Sequence, residues 1–376
     1  MREPPPVRRV LIYRFGSLGD TVFALPCFHL IERVFPAAER VLLTNFPVHA
    51  KAPAAAAVLG DSGLVSGYMR YAAGTRDPVE LLRLALRIRR FKPDLLIWLM
   101  AVRKASTVPR DLFFFRRICG IRRMMGLPDE LERRDIPDNA SAAHHRLLDA
   151  ATGLYEPEPV RLARHLSSLG DARLEERASW DLRLTVAERK KAAEVLAPLG
   201  IQHLIVCGPG TKMQSKDWGV ENWRTLVERL GARYPQCALA VVGAAEEAAI
   251  GTVVLAGWTG AKVNLCGLLT PRETAAVLEH ALVFLGHDSG PTHLAASLGL
   301  PCVAAYSART IPGAFYPFGE GHQVLYPQIE CAGCYLETCI ERDRACMRSI
   351  TVAQMEQAVA RVFAAQPQSV GVGLVE

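Results

Sequence analysis

With 376 residues the chain is too long for one ordinary domain and comfortable for two. Half of it is apolar, 22% is charged and the net charge is only +6, so a substantial core can close and wholesale disorder is excluded. Between Met1 and Asp20 only Val10–Tyr13 is apolar, too short for a secretory signal, and no apolar run reaches the roughly 18 residues of a membrane span. A soluble cytoplasmic protein is expected.

In chain order, Val10–Tyr13 reads as a buried strand, followed by helical pattern from Asp20 to about Phe35, then strands at Arg40–Leu43 and Asp94–Trp98. Pro128 to Arg173 is charged and irregular and reads as the connection between halves. Thr185-Val-Ala-Glu188 is a capping box that starts a helix ending at Gly200. A strand at His203–Cys207, a helix over Glu221–Leu230 and a strand at Cys237–Val242 follow. Thr270-Pro-Arg-Glu273 is a second capping box, and strands at Leu282–Leu285 and Cys302–Tyr306 flank a short helix near Pro291–Leu298. This alternation predicts an α/β protein of two domains, 1–175 and 176–376, with parallel sheets facing a central cleft. The last helix is free to pack back on the first domain.

Charge is uneven along the chain. Twelve Lys or Arg residues lie between Arg83 and Arg123 against only Asp94 and Asp111, interleaved with aromatic and aliphatic residues in Asp111–Arg117 and Arg122–Met125. This is either a surface for anionic lipid or phosphorylated glycan, or a solvated helix face; no recognition motif supports nucleic acid. Six of the ten cysteines (Cys27, Cys119, Cys207, Cys237, Cys266, Cys302) sit in apolar segments as small buried hydrophobes. The other four, Cys331, Cys334, Cys339 and Cys346, are clustered; they admit a structural zinc or iron site, reduced thiols or an opportunistic disulfide.

In open α/β sheets ligands sit beyond the carboxyl ends of the strands, and four strand-to-helix loops there have unusual composition. Gly16-Ser17-Leu-Gly19-Asp20 lets the backbone turn sharply, without the third glycine of a dinucleotide fingerprint or the Gly-Lys-Ser/Thr of a P-loop. Asp20 there is either a first-turn helix charge or a general base. Gly208-Pro-Gly-Thr211-Lys212-Met-Gln-Ser-Lys216-Asp-Trp218 offers glycines, a hydroxyl and two lysines to an anion such as a pyrophosphate. Glu246 and Glu247 could accept ribose hydroxyls or be exposed first-turn acids. In Asp288-Ser289-Gly290-Pro-Thr-His293 the helix start presents free amides to an anion; Asp288 accepts sugar hydroxyls or caps the helix, and His293 donates to phosphate or packs internally.

Taken together these loops resemble the signature of the lipopolysaccharide heptosyltransferases, glycosyltransferase family nine. Gly16–Asp20, Gly208-Pro-Gly through Lys216-Asp-Trp218, and Asp288-Ser-Gly-Pro-Thr-His-Leu-Ala-Ala296 match its motifs in order and spacing over roughly residues 7 to 360. The resemblance implies a GT-B fold of two Rossmann-like domains, acceptor bound by the first and nucleotide-sugar donor by the second. It implies inverting transfer from ADP-heptose to a lipopolysaccharide core or related glycan, without a catalytic metal. By the same resemblance Asp20 is the base, and Gly16, Ser17 and Gly19 form the acceptor-side loop. Thr211, Lys212 and Lys216 belong to the donor site, Glu246 holds the ribose, and Asp288, Ser289, Gly290 and His293 line the same site. Another GT-B enzyme (a hexosyltransferase or epimerase) and a non-catalytic nucleotide-sugar-binding protein are the alternatives.

Overall fold

The computed structural model describes residues 6–45, 55–71, 75, 77–100, 107–127, 146–200 and 203–366. Much of the expected connection (128–145) and the basic pair Arg103 and Lys104 lie outside the described residues. The chain divides into two compact units, Met1–Leu182 and Arg183–Glu376. The division falls seven residues later than 175, because the 3-10 turn Arg177–Trp180 belongs to the first unit: His29 Nε2 meets the carbonyl of Asp181 at 2.9 Å and the Trp180 indole donates to Leu174 O.

The first unit runs β1 (Arg9–Tyr13), α1 (Leu18–Phe23), α2 (Leu25–Val34), β2 (Glu39–Asn45), α3 (Ala56–Leu59), β3 (Gly67–Tyr71), α4 (Pro78–Phe91), β4 (Leu95–Trp98), α5 (Thr107–Phe113), β5 (Met124–Met125), β6 (Leu148–Asp149), β7 (Leu154–Tyr155) and α6 (Glu158–His165). β1 to β5 form one parallel sheet in the order β3-β2-β1-β4-β5, and β6 and β7 a small antiparallel hairpin. The helix expected over Asp20–Phe35 is two helices, broken at Ala24 with Pro26 in the first turn of the second, where a proline without N–H is tolerated. The irregular stretch conceals α6, whose Pro159 likewise sits in the first turn. Asp77 caps α4 by accepting from the Val79 amide, and Lys92 closes it in the left-handed region. Leu84, Ala85 and Ile88 of α4 then pack with Phe115 against Leu11, Tyr13, Val41, Leu96 and Trp98 of the sheet.

The second unit runs α7 (Val186–Leu196), β8 (Leu204–Gly208), α8 (Val220–Arg233), β9 (Ala238–Val241), α9 (Ala248–Ala256), β10 (Lys262–Asn264), α10 (Pro271–Leu278), β11 (Ala281–His287), α11 (Gly290–Ser297), β12 (Cys302–Ala305), β13 (Gln323–Leu325), α12 (Ala345–Arg348) and α13 (Val352–Ala365). Its six strands are parallel in the order β10-β9-β8-β11-β12-β13. Both predicted capping boxes form: Thr185 and Glu188 exchange bonds of 2.6 and 3.2 Å, and Thr270 and Glu273 bonds of 2.7 and 3.2 Å. Met355, Ala358, Val359 and Val362 of the last helix complete the apolar core of the second unit around Trp223 and Leu230 of α8 and Tyr234 just after it.

Each sheet repeats one winding. Numbered from its own first strand, the first runs 3-2-1-4-5 and the second 3-2-1-4-5-6, so the direction of winding reverses between β1 and β4 in one unit and between β8 and β11 in the other. At such a switch point the flanking loops part and leave a crevice for a ligand. The loops after β1, β8 and β11 flank these two points.

Candidate functional site

In the first unit, β1 runs into the Arg14–Ser17 turn and α1 starts at Leu18. The Asp20 carboxylate folds back over that turn: its Oδ2 accepts the Ser17 amide at 2.7 Å and the Ser17 hydroxyl at 2.8 Å. Gly16 lies directly beneath, where a β-carbon would stand 2.3 Å from Asp20 Cβ, so only glycine permits the fold-back. Asp20 thus acts as a helix cap through one oxygen, and Oδ1 makes no bond to the described residues. The turn rests on a buried ionic base that sequence reasoning missed. Arg14 donates to the carbonyls of Asp20 (2.7 Å) and Leu99 (2.6 Å) and meets Glu158 at 3.4 Å. Glu158 also takes Arg161 through two bonds of 2.9 Å and Arg146 at 2.6 Å. Burial alone would raise the Glu158 pKa; Arg161, Arg146 and Arg14 instead hold it well below the carboxylate range.

In the second unit the loops after β8 and β11 meet. Lys216 Nζ sits 2.6 Å from Asp288 Oδ2 and donates to the Asp288 carbonyl at 3.0 Å, while His293 Nε2 is 3.6 Å from Oδ1. Asp288 and His293 are both buried. Burial would raise the Asp288 pKa, but Lys216 and His293 hold that carboxyl well below its ordinary value. Asp288 does not cap α11: Ser289 is the N-cap residue, and Thr292 bonds back to the His287 carbonyl. Ser289 and Gly290 are half-buried at the helix start, whose first amides lack intrahelical acceptors. Thr211 is half-buried and Lys212 exposed in the same loop.

The two candidate acids part company. Glu246 is exposed, whereas Glu247 accepts the Ala244 amide at 2.8 Å and lies against Gly210 and Gly243, where added β-carbons would come within 2.1 and 2.5 Å of its carboxylate. Glu247, one position from the residue expected, is therefore the acid at the glycine loop.

The four clustered cysteines differ in burial. Cys346 is buried beside Ser307 in the apolar core, Cys334 is exposed, and Cys331 and Cys339 are half-buried. Among the described residues no three His, Cys, Asp or Glu side chains stand together as a metal-holding group. The cysteine-bearing segment straps the anion loop. Ser215 donates to the carbonyls of Glu337 (backbone N–H, 3.1 Å) and Leu336 (hydroxyl, 2.7 Å), the Cys339 amide to Gln214 at 2.9 Å, and Arg344 to Asp217 at 3.0 Å. Arg309 secures the strap through the carbonyls of Tyr335 and Leu336.

Two doubly wound parallel sheets, with glycine turns and paired ionic groups at their switch points, define a two-domain Rossmann-like α/β protein. The sequence profile of glycosyltransferase family 9 (heptosyltransferase) matches residues 158–344. Lipopolysaccharide heptosyltransferase 1 of Pseudomonas aeruginosa is 27% identical over 345 residues, covering 88% of this chain and 87% of that one. Among solved structures, a family 9 glycosyl transferase from Veillonella parvula aligns with a TM-score of 0.69 at 16% identity, over 96% of this chain and 98% of that one. An E. coli heptosyltransferase with ADP-2-deoxy-2-fluoro heptose aligns with a TM-score of 0.60 at 16% identity, over 94% and 99%. The chain is a glycosyltransferase of GT-B fold, similar to glycosyltransferase family 9 in sequence over residues 158–344 and in fold over nearly its whole length.

Proposed function

We propose that the protein transfers a heptose from ADP-heptose to a lipopolysaccharide core or related glycan with inversion, the second unit holding the donor and the first the acceptor. The observation that carries this reading is the pairing of Lys216 with Asp288 at the switch point of the second sheet, beside the amino end of α11. Lys216 spends protons on the Asp288 carboxylate and carbonyl; an ammonium has three, so one remains for a diphosphate oxygen. Departure of a nucleoside diphosphate develops negative charge that this lysine and the α11 amides are placed to take up, so the reading asks no metal ion for that step. Thr211 and Lys212 extend the same loop, and Glu247 rather than Glu246 accepts the ribose hydroxyls. His293, buried against Asp288, orients that carboxylate.

On the first unit Asp20 is the general base. Its Oδ2 is held by neutral donors from Ser17, which fixes the carboxylate and leaves Oδ1 to take a proton from an acceptor hydroxyl. The P. aeruginosa relative is named a lipopolysaccharide heptosyltransferase, and the E. coli neighbour was solved with a fluorinated ADP-heptose; both support heptose and ADP for this chain. Parallel titration with ADP, UDP and GDP tests the donor: ADP is expected to bind at least tenfold more tightly, and preference for UDP or GDP refutes the assignment.

Contact with an anionic membrane belongs to the same reading. Among the described residues no helix is long and apolar enough to cross a membrane. Yet α4 exposes Val79, Leu82 and Leu86, each more than half accessible, on one face with Arg83, Arg87 and Arg90. Exposed Phe113 and Ile118 beside Arg116 and Arg117 repeat the pattern in the stretch after β4. Exposed apolar side chains among arginines suit the boundary between acyl chains and anionic headgroups.

A further inference from the structure

We infer that His287 is the positioning residue of the donor loop: its Nε2 ties the far end of the Gly208–Trp218 loop to the end of β11 and so sets Lys216 against Asp288. The inference rests on the donor reading of that loop and adds a residue that the reading does not use.

The geometry is specific. Where the loop leaves β8, Gly208 is paired in register with Gly286 of β11. Where it ends, the Trp218 amide donates to His287 Nε2 at 3.1 Å. Consecutive residues of one strand therefore hold both ends of the loop, which is closed into a ring. A second donor converges on the same nitrogen, the Trp223 indole N–H of α8, at 3.3 Å. Two N–H groups aimed at one ring nitrogen need its lone pair, so Nε2 carries no proton and the neutral tautomer has its hydrogen on Nδ1.

The surroundings keep this arrangement in place. The His287 ring has no solvent exposure and stands edge-to-face on Trp223 (5.1 Å between centroids, 88°), which stands likewise on Trp218 (4.8 Å, 82°). The Trp218 indole donates onward to the Ile350 carbonyl at 2.7 Å. Burial lowers the imidazole pKa to about 4, against the pull of Asp217, so it stays neutral near pH 7. Lys216 lies two residues before Trp218 and Asp288 one residue after His287, so their 2.6 Å contact is the next rung from the tether. Losing the Nε2 acceptor would strand two buried N–H donors, and the lysine-bearing end of the loop would be free to move.

His287→Phe keeps a ring but no acceptor; His287→Gln carries a carbonyl oxygen that reaches the Nε2 position; His287→Asn is too short to reach it. The measurements are hydrogen exchange over residues 209–218 without ligand, ADP affinity, and donor KM against kcat. Phe and Asn are expected to speed exchange in the loop and weaken ADP binding at least tenfold, mostly in KM, with Gln recovering most of both. Folded Phe and Asn variants with loop exchange and ADP affinity within twofold of wild type would overturn the inference, as would loss of kcat alone. If Phe does not fold, the contrast between Gln and Asn decides the same question. Faster loop exchange in a protein whose wild type binds no ADP refutes the donor reading and leaves the tether standing.

Discussion

The turns after β1 and after β11 each flank the switch point of their own sheet, and each presents an aspartate. Asp288 is buried, gripped by a lysine and faced by a histidine, and its pKa is driven far down. Among the described residues Asp20 is half-buried and bonded through Oδ2 to the neutral amide and hydroxyl of Ser17; the nearby cation, Arg14, donates to its main-chain carbonyl instead. Cations around a carboxylate lock in its charge, whereas the neutral donors from Ser17 fix the place of Asp20. One topology thus holds a cation-bound carboxylate in one unit and a carboxylate held by neutral donors in the other.

The contrast is broken most directly at Asp20. Asp20→Asn keeps an oxygen for the Ser17 donors but cannot take a proton. Transfer should fall by about 10²–10⁴-fold, the usual contribution of a general base, with ADP affinity unchanged. Undiminished turnover would show that Asp20 is only a cap. The next largest effect lies beneath it. Glu158→Gln leaves Arg14, Arg146 and Arg161 without their buried counter-charge and should cost about 3–5 kcal/mol in melting experiments. The Glu158 pKa is depressed in the folded state, so its stabilisation is present above the ordinary value of 4.5 and is lost as pH falls below it. Wild type should therefore lose stability in acid more steeply than Glu158→Gln; parallel curves would place the ionic base elsewhere. Smallest is the effect on the α4 face. Reversing Arg83, Arg87 and Arg90 to Glu should weaken sedimentation with phosphatidylglycerol vesicles by about 1 kcal/mol or more per site, leaving ADP affinity alone. Equal sedimentation would remove the membrane contact from the reading.

Much of this was legible in the sequence because it is local. A capping box needs four residues, a buried parallel strand a short apolar run, and a glycine loop its own composition, so α7, α10 and the loops at 16–20, 208–218 and 286–293 could be placed. What escaped depends on distant partners. Glu158 looked like one charge in an irregular stretch; its meaning comes from Arg14, far back along the chain. His287 directly precedes the Asp288–Ala296 motif, but the donors that define it, Trp218 and Trp223, are about seventy residues away. Glu246 and Glu247 look alike in sequence; only the fold shows that Glu247 turns back onto Gly210 and Gly243. The spacing of the four cysteines shows nearness in sequence, whereas their placement differs: Cys346 is buried with α12 and Cys334 is exposed.

The strap over the anion loop also bears on how the protein is made. Gln214–Asp217 is synthesised more than a hundred residues before the segment at 335–344 that fastens it. On the ribosome, β8, α8 and β9 can pair and pack while the loop between them still lacks its restraints. The loop should therefore become fixed late in translation, after all six strands of the second sheet have been made.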